Sequence, residues 1–170
     1  MIQKYTSAST SINKNKVPAI FKKIDWYRHG SEVKNLDYGG GKYDTATEYL
    51  RKTWSVENFI YDPYNRGKLF NDFTLKQTPY DTATLSNVLN VVLEEEARLF
   101  ILNHIKTLLK PTGVLHITVY EGSRTGIATV NSKRNICQLN RPLRDYLDEV
   151  KKVFPGAYAK NGMIIAKKEA

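Results

Sequence analysis

Residues 33–41, Val-Lys-Asn-Leu-Asp-Tyr-Gly-Gly-Gly, contain the clearest structural signal in the chain. A short apolar run that ends in an acid and a cluster of glycines is typical of a buried strand followed by a tight turn. After the glycines, Ala46, Tyr49 and Leu50 recur at the spacing of one helical face. The segment therefore predicts a strand, a glycine-rich turn and a helix.

A second strand is predicted from Val56 to Tyr61, and it ends before Pro63 because proline cannot donate to a sheet ladder. Asp62 stands at the end of this strand, about 20 residues after the glycine turn. In nucleotide-binding α/β folds an acid at that distance holds the ribose hydroxyls. Two ordinary turns, one glycine-rich and one started by an aspartate, are the alternative interpretation.

Further along the chain, strands alternate with helices. Residues 94–109 carry apolar side chains on one helical face, and residues 114–120 are rich in the β-branched residues that favour a strand. This alternation implies a parallel sheet covered by helices, and two short strands joined by Lys160-Asn161-Gly162 add an antiparallel hairpin. We therefore predict a three-layer α/β fold. The other predicted elements are helices at 17–27 and 142–154 and strands at 69–75, 82–85, 156–159 and 163–166.

The chain has 170 residues, which is the size of one domain. Residues 1–16 are polar and are predicted to form a mobile or loosely docked arm, and residues 17–170 a single domain. The single cysteine, Cys137, excludes an internal disulfide and fits a reducing, cytoplasmic location. No apolar run approaches the roughly 18 residues of a membrane span. The three histidines lack the spacing of metal ligands, so no metal site is expected.

The chain is basic, with 26 Lys and Arg against 17 Asp and Glu and a net charge of +9. Such an excess favours a polyanionic partner such as nucleic acid. The predicted contact is the segment 122–144, which has several basic residues and no acid; a solvated basic loop is the alternative. Its basic residues are Arg124, Lys133, Arg134, Arg141 and Arg144.

The turn after the first strand also indicates what kind of ligand it serves. Asp44, at the start of the following helix, would repel a pyrophosphate. The chain also has no Gly-Lys-Thr or Gly-Lys-Ser phosphate loop. A nucleoside-like, cationic ligand is therefore expected, rather than a polyphosphate.

Taken in order, these stretches resemble class I S-adenosylmethionine-dependent methyltransferases, over roughly residues 32–120. The matching motifs are the glycine turn at 35–41, Ile60-Tyr61-Asp62, Asn71-Asp72-Phe73, the stretch 80–91 and Leu108-Leu109-Lys110-Pro111-Thr112-Gly113. Asp37-Tyr38-Gly39, Tyr61-Asp62-Pro63 and Val88-Leu89-Asn90-Val91 show a narrower likeness to methyltransferase-like proteins found alongside DNA phosphorothioation systems.

The resemblance implies a Rossmann-like, mostly parallel sheet of seven strands and S-adenosylmethionine as the cofactor. Its implied cofactor contacts are Asp37, Gly39 and Gly41 for the methionine part, Asp62 for the ribose and Asp72 with Phe73 for the adenine. Four more residues, Tyr38, Pro63, Ser86 and Asn87, complete the implied cofactor site.

Methyl transfer asks the protein mainly to position the acceptor, and Asn87 and Arg124 are the candidates for that role. Asn87 could instead cap the following turn. Nucleic acid is favoured as the acceptor over a small molecule because of the charge. Asp62-Pro63-Tyr64 is similar to the Asp-Pro-Pro-Tyr motif of amino-methylating DNA enzymes, but that motif ends the fourth strand, and here it ends the second.

One departure from the family pattern supports a different function. Tyr43 stands where many members have a third glycine, and it could crowd the methionine end of the cofactor. The alternative to an enzyme is therefore a non-catalytic module that binds nucleic acid or protein on a degenerate methyltransferase scaffold.

Overall fold

The computed structural model describes residues 3–10 and 14–169 as five helices packed against a central sheet. The helices are α1 (Ala19–Lys23), α2 (Thr45–Trp54), α3 (Lys68–Lys76), α4 (Glu95–Leu108) and α5 (Leu147–Val153). The strands are β1 (Lys34–Tyr38), β2 (Glu57–Tyr61), β3 (Tyr80–Ser86), β4 (Leu109–Thr118), β5 (Thr129–Asn131), β6 (Ile136–Gln138), β7 (Tyr158–Lys160) and β8 (Met163–Lys167). Short 3-10 segments lie at Ala8–Thr10, Trp26–His29, Leu89–Val91 and Leu143–Tyr146.

The main sheet has the strand order β2-β1-β3-β4-β8-β7, and its first four strands are parallel. β8 runs antiparallel to β4 and to β7, which confirms the predicted closing hairpin. β5 and β6 form a separate two-stranded hairpin within the segment 122–144, where no strand was predicted. The predicted α/β fold with a mostly parallel sheet is thus confirmed.

Two apolar clusters cover the two faces of the sheet. One joins the sheet to α4 and α5, through residues such as Leu102 and Val150, and the other joins it to α1 and α2, through Phe21 and Leu50. Met163 and Ile164 are neighbours in β8 and belong to different clusters. Because successive strand residues point to opposite faces, the clusters lie on opposite sides of the sheet, and the fold has three layers.

The predicted strand at residues 69–75 is wrong, because this stretch forms α3. Its inward face is polar: Asn71 and Thr74 are buried, whereas Leu69 is 85% exposed and Phe73 56% exposed. The Thr74 hydroxyl donates to the carbonyl of Ile60 in β2. The apolar residues therefore gave a misleading pattern, and within the described residues the main sheet has six strands rather than the seven expected.

Across the described ranges, the helices are too short or too polar to cross a bilayer.

Candidate functional site

A cavity of about 940 Å³ lies over the carboxyl ends of β1, β2 and β3. The chain leaves β1 toward one edge of the sheet and returns from β2 to the other side of β1, so the cavity lies at a topological switch point. Its volume is near the upper end of the range of about 300–1,000 Å³ for small-molecule sites. The cavity therefore has room for a cofactor together with a second ligand.

The glycine turn after β1 forms the floor of this cavity. Gly39 has φ of 75° and Gly41 has φ of 77°, which L side chains rarely adopt. A Cβ atom at Gly39 would lie 2.4 Å from Val88 Cγ2, and one at Gly40 would lie 2.3 Å from Asp37 Oδ2. Close packing thus excludes side chains at Gly39 and Gly40, and the backbone conformation disfavours them at Gly39 and Gly41.

Asp37 lies beneath this turn and is 2% exposed. The Thr84 hydroxyl lies within donor distance of its carboxylate, at 3.3 Å. Burial raises the pKa of Asp37 to about 7, the Thr84 hydroxyl opposes that rise, and the Asp62 carboxylate adds to it. A cation bound above the turn would favour the ionised form of Asp37.

The Asp62 carboxylate accepts four hydrogen bonds from its own surroundings. Its Oδ1 accepts from the backbone N–H groups of Tyr64 and Asn65, at 3.0 and 2.9 Å. Its Oδ2 accepts from the N–H of Gly41, at 2.9 Å, and from the side-chain amide of Asn65, at 3.1 Å. A carboxylate has about four lone-pair sites, so Asp62 shapes the loop after β2 and is already fully engaged.

Arg66 ties the loop after β2 to the loop after β1. Its Nε donates to the carbonyl of Gly41 at 2.7 Å, and its guanidinium pairs with Asp44 at 2.8 Å. Arg66 was not predicted, because its partner Asp44 is 22 positions away in sequence and no local pattern links the two.

An aromatic cluster, formed by Tyr38, Tyr61, Phe100 and His104, stands beside the cavity, and its first three members line it. The rings of Tyr38 and Tyr61 are 4.8 Å apart, and both contact His104 edge-on. The Tyr38 hydroxyl and His104 Nδ1 are 3.1 Å apart and share a hydrogen bond. Partial burial lowers the pKa of His104, which favours the neutral ring. Phe100 and His104 were not predicted, because they lie on α4 and reach this place only through folding.

The structure brings most of the predicted cofactor residues together at this cavity. Gly41 lies directly behind the lining and bonds to Asp62. Asn87 is exposed to the cavity in a left-handed conformation (φ 56°), and its N–H donates to the carbonyl of Thr118 at 2.9 Å. The predicted residues that line the cavity are Asp37, Tyr38, Gly39, Asp62, Pro63, Ser86 and Asn87.

Besides Gly41, three predicted site residues lie outside the cavity lining. Asp72 and Phe73 are on α3, where Asp72 pairs with Lys68 and Phe73 packs near Phe59. Their assignment to the adenine came from the family resemblance. The guanidinium of Arg124 pairs with Glu121, and its side chain is 70% exposed.

The five basic side chains of segment 122–144, all of which the structure describes, lie outside the cavity lining, although uncharged residues of the β5–β6 hairpin in the same segment line it. Arg141 pairs with the buried Glu149 at 2.7 Å, and its guanidinium lies 4.1 Å from the ring centroid of Tyr146. Glu149 also pairs with Arg98 of α4. Arg141 therefore fastens α5 to the core, and the surface charge available to nucleic acid is smaller than the sequence suggests.

Residues 3–10, part of the predicted polar arm, pack against the β5–β6 hairpin. Ser7 is 3% exposed, and its N–H donates to the carbonyl of Asn135 at 3.0 Å. Its hydroxyl donates to the carbonyl of Val91 and accepts from the N–H of Cys137, both at 3.2 Å. This packing closes one side of the cavity.

Within the ranges that the structure describes, no group of three His, Cys, Asp or Glu side chains is placed to hold a metal ion.

No protein-family model and no curated protein matches the chain. Solved structures do match it. "PigF with SAH" has a TM-score of 0.62 at 14% identity, over 89% of this chain and 54% of that one. An O-methyltransferase family protein from Burkholderia thailandensis has a TM-score of 0.58 at 14% identity, over 89% and 55%. The chain thus spans about half the length of these two proteins.

A third structure is similar over nearly its whole length. It is a SAM-dependent methyltransferase from Methanosarcina mazei, with a TM-score of 0.57 at 12% identity, over 91% of this chain and 98% of that one. At these identities the likeness concerns the fold alone. The chain therefore has the Rossmann-like fold of class I S-adenosylmethionine-dependent methyltransferases.

Proposed function

We propose that the chain binds S-adenosylmethionine and transfers its methyl group to an acceptor. The observation that carries the proposal is the cavity itself, where a glycine turn, a buried carboxyl and an aromatic cluster meet at the switch point of the sheet. The similarity to "PigF with SAH" supports the choice of cofactor.

The side chains around the cavity fit the chemistry of this cofactor. Asp37 would complement its cationic end, and the faces of Tyr61 and Phe100 would stack on its adenine. The turn held by Asp62 and Gly41 would cradle the ribose through backbone groups, because the Asp62 carboxylate is engaged. When bound, S-adenosylmethionine supplies a methyl group activated by the adjacent sulfonium.

The part that the chain itself plays is to orient the acceptor. Asn87 is exposed at the end of β3, and its backbone is held by β4 through the bond to Thr118. Its side-chain amide can accept from an amine or hydroxyl and can donate to a carbonyl. Holding the acceptor in line with the methyl group is the main source of rate in such a reaction.

Calorimetric titration with S-adenosylmethionine and S-adenosylhomocysteine tests the proposal. We expect micromolar binding, equivalent to about −8 kcal/mol. Asp37→Asn should weaken S-adenosylmethionine binding because it removes the buried acid, and Asp148→Asn, an exposed acid on α5, is the matched control. The absence of heat and of any thermal shift at millimolar ligand would overturn the proposal.

A non-catalytic binding module is the second candidate, and two observations favour it. The Asp62 carboxylate has no free lone pair for a ribose, and Tyr43 lines the cavity where the family pattern has a glycine. If the chain is such a binding module, Tyr43→Gly should create or strengthen S-adenosylmethionine binding in the same titration. If the chain is a methyltransferase, the wild-type protein should already bind S-adenosylmethionine.

The narrower likeness to proteins of DNA phosphorothioation systems and the action on nucleic acid stay predictions.

A further inference from the structure

The cavity continues past Asn87 into a part that the predicted cofactor residues do not occupy. There it runs between the docked residues 3–10 and the β5–β6 hairpin. We call this part the arm–hairpin wall; its members are Thr6, Ser7, Thr10, Thr129, Asn131 and Gln138. Asn87 lies between the two parts of the cavity. The reacting atom of an acceptor would have to lie beside it in order to reach the methyl group.

Hydrogen bonds and burial hold the residues of the arm–hairpin wall in place. Ser7 adopts φ of 51°, and three hydrogen bonds hold it there. On either side of it, Tyr5 is 8% exposed with its hydroxyl 3.3 Å from that of Ser132, and Thr6 exchanges two hydrogen bonds with Asn135. A non-glycine residue in this conformation costs free energy, so the surrounding bonds must hold it in place.

The six members of the wall are hydroxyls and amides without charge, and the apolar Ala8, Ile136 and Cys137 lie among them in the lining. The lysine that lines the cavity, Lys16, belongs to the side near α2, where the carbonyl of Lys14 accepts from the Thr45 hydroxyl. The acids that line the cavity, Asp37 and Asp62, lie at the ends of β1 and β2 instead. Asn90 also lines this region and is 2% exposed; its amide nitrogen donates to Gln138, while its Oδ1 has no partner within the described residues. Hydroxyls and amides can replace the water around a neutral polar molecule, but they offer no counter-ion to a phosphate or carboxylate.

We propose that the arm–hairpin wall is the acceptor subsite, and that the acceptor is an uncharged small molecule bearing hydroxyl, amine or amide groups. Tyr120, which is 64% exposed and lines the cavity, adds a flat apolar surface that suits a ring. This inference rests on the proposed function and narrows it. It favours a free small molecule over a polynucleotide, whose phosphates would find cations only outside the wall, such as Lys133 and Arg134 in the turn of the same hairpin.

The test is an NMR titration of the ¹⁵N-labelled full chain saturated with S-adenosylhomocysteine. The probes are two matched pairs, catechol with protocatechuate and cytidine with cytidine monophosphate, and a short single-stranded oligodeoxycytidylate. We expect the uncharged member of a pair to shift the amides of Ser7, Thr10, Thr129 and Asn131. The charged member should bind about tenfold more weakly, since it loses hydration without gaining a counter-ion.

Two variants carry a new charge into the wall, Thr129→Lys and Asn131→Lys. Each should reverse the preference, so that the charged member of the pair binds more tightly, while the affinity for S-adenosylhomocysteine stays unchanged. Thr53→Lys, at an exposed position of α2, is the matched control and should keep the wild-type preference. Using two variants guards against one that fails to fold.

Several results would overturn the proposal: equal or tighter binding of the charged member of a pair to the wild type, shifts of the Ser7 and Thr10 amides by the oligonucleotide at lower concentration than by cytidine, shifts confined to amides outside the wall, or no binding of either uncharged probe at millimolar concentration. If the proposed function is wrong, the result is different. S-adenosylhomocysteine then fails to shift the amides of residues 39–41, whereas the uncharged probes can still shift the amides of the wall.

Discussion

Near neutral pH, Asp37 is still partly protonated, whereas an ordinary aspartate is ionised. Its pKa is about 7 in the folded chain against 3.8 for an ordinary aspartate, because it is buried. The folded state therefore binds a proton that the unfolded state releases, and this stabilisation is complete below about pH 4 and is lost as the pH rises through about 7.

Replacing Asp37 by asparagine should remove this pH dependence. Relative to wild type, Asp37→Asn should gain about 2–3 kcal/mol of stability between about pH 5 and about pH 8. Urea unfolding at the two pH values measures the difference, with Asp148→Asn as the control at an exposed acid. Parallel stability curves for Asp37→Asn and wild type would contradict the assignment of the proton to Asp37.

Substitutions at Phe100 and at Asp72 should have different effects on the affinity for S-adenosylhomocysteine, because Phe100 lines the cavity and Asp72 does not. Phe100→Ala should weaken S-adenosylhomocysteine binding by about 1 kcal/mol, a factor of about five, because it removes a ring that lines the cavity. Asp72→Asn should leave the affinity unchanged, since Asp72 faces Lys68 outside the cavity. A larger loss in Asp72→Asn than in Phe100→Ala would restore the assignment implied by the family resemblance. Calorimetric titration of both variants decides between them.

Among the elements, α3 is the one whose buried face is polar. Asn71 accepts from the N–H of Asp62 at 2.8 Å and donates to its carbonyl at 3.0 Å, so this one side chain fixes the loop that follows β2. Leu69, on the same helix, is 85% exposed.

Asn71→Ala should therefore destabilise the fold by about 2–3 kcal/mol, because it leaves buried backbone groups without partners. Leu69→Ala should change the free energy of unfolding by less than about 0.5 kcal/mol. Urea denaturation of both variants measures the contrast. Equal effects of the two substitutions would show that the hydrophobic side chains, and not the amide, hold α3.

How far each element could be predicted depended on whether its signal was local. β1 with its glycine turn and the β7–β8 hairpin follow from short-range patterns, namely an apolar run before glycines and an Asn-Gly turn. α3 did not, because its inward residues are Asn71 and Thr74, whose burial depends on hydrogen bonds to the end of β2. The acids and glycines of the site were predicted, whereas Arg66 and Phe100 were not, since each acts on residues distant in sequence.

At the scale of the whole molecule, the net charge of +9 attracts polyanions such as DNA. We expect weak, salt-sensitive binding to DNA, with a dissociation constant of about 10⁻⁴–10⁻⁶ M at physiological salt. Saturating S-adenosylhomocysteine and the substitution Asn87→Ala should leave it unchanged, because the five basic side chains of segment 122–144 lie outside the cavity lining. Fluorescence anisotropy over a range of salt concentrations measures this.

A dissociation constant that tightens with S-adenosylhomocysteine, or a preference for one sequence, would contradict this expectation and would make nucleic acid the acceptor. Lys133→Ala with Arg134→Ala, both at exposed positions, should reduce the salt dependence if the charge acts through this segment.

The docking of the arm on the hairpin joins parts of the chain that are far apart in sequence. Thr6 and Asn135 are 129 residues apart in sequence, and Ser7 and Cys137 are 130 apart. During synthesis the arm leaves the ribosome long before the hairpin that receives it, and contacts of such long range form late in folding. β1 to β4, at residues 34–118, can pair earlier. We therefore expect the part of the cavity over β1 to β3 to form before the part between the arm and the hairpin. On the proposed function, a nascent chain would then have a place for the cofactor before it has one for the acceptor.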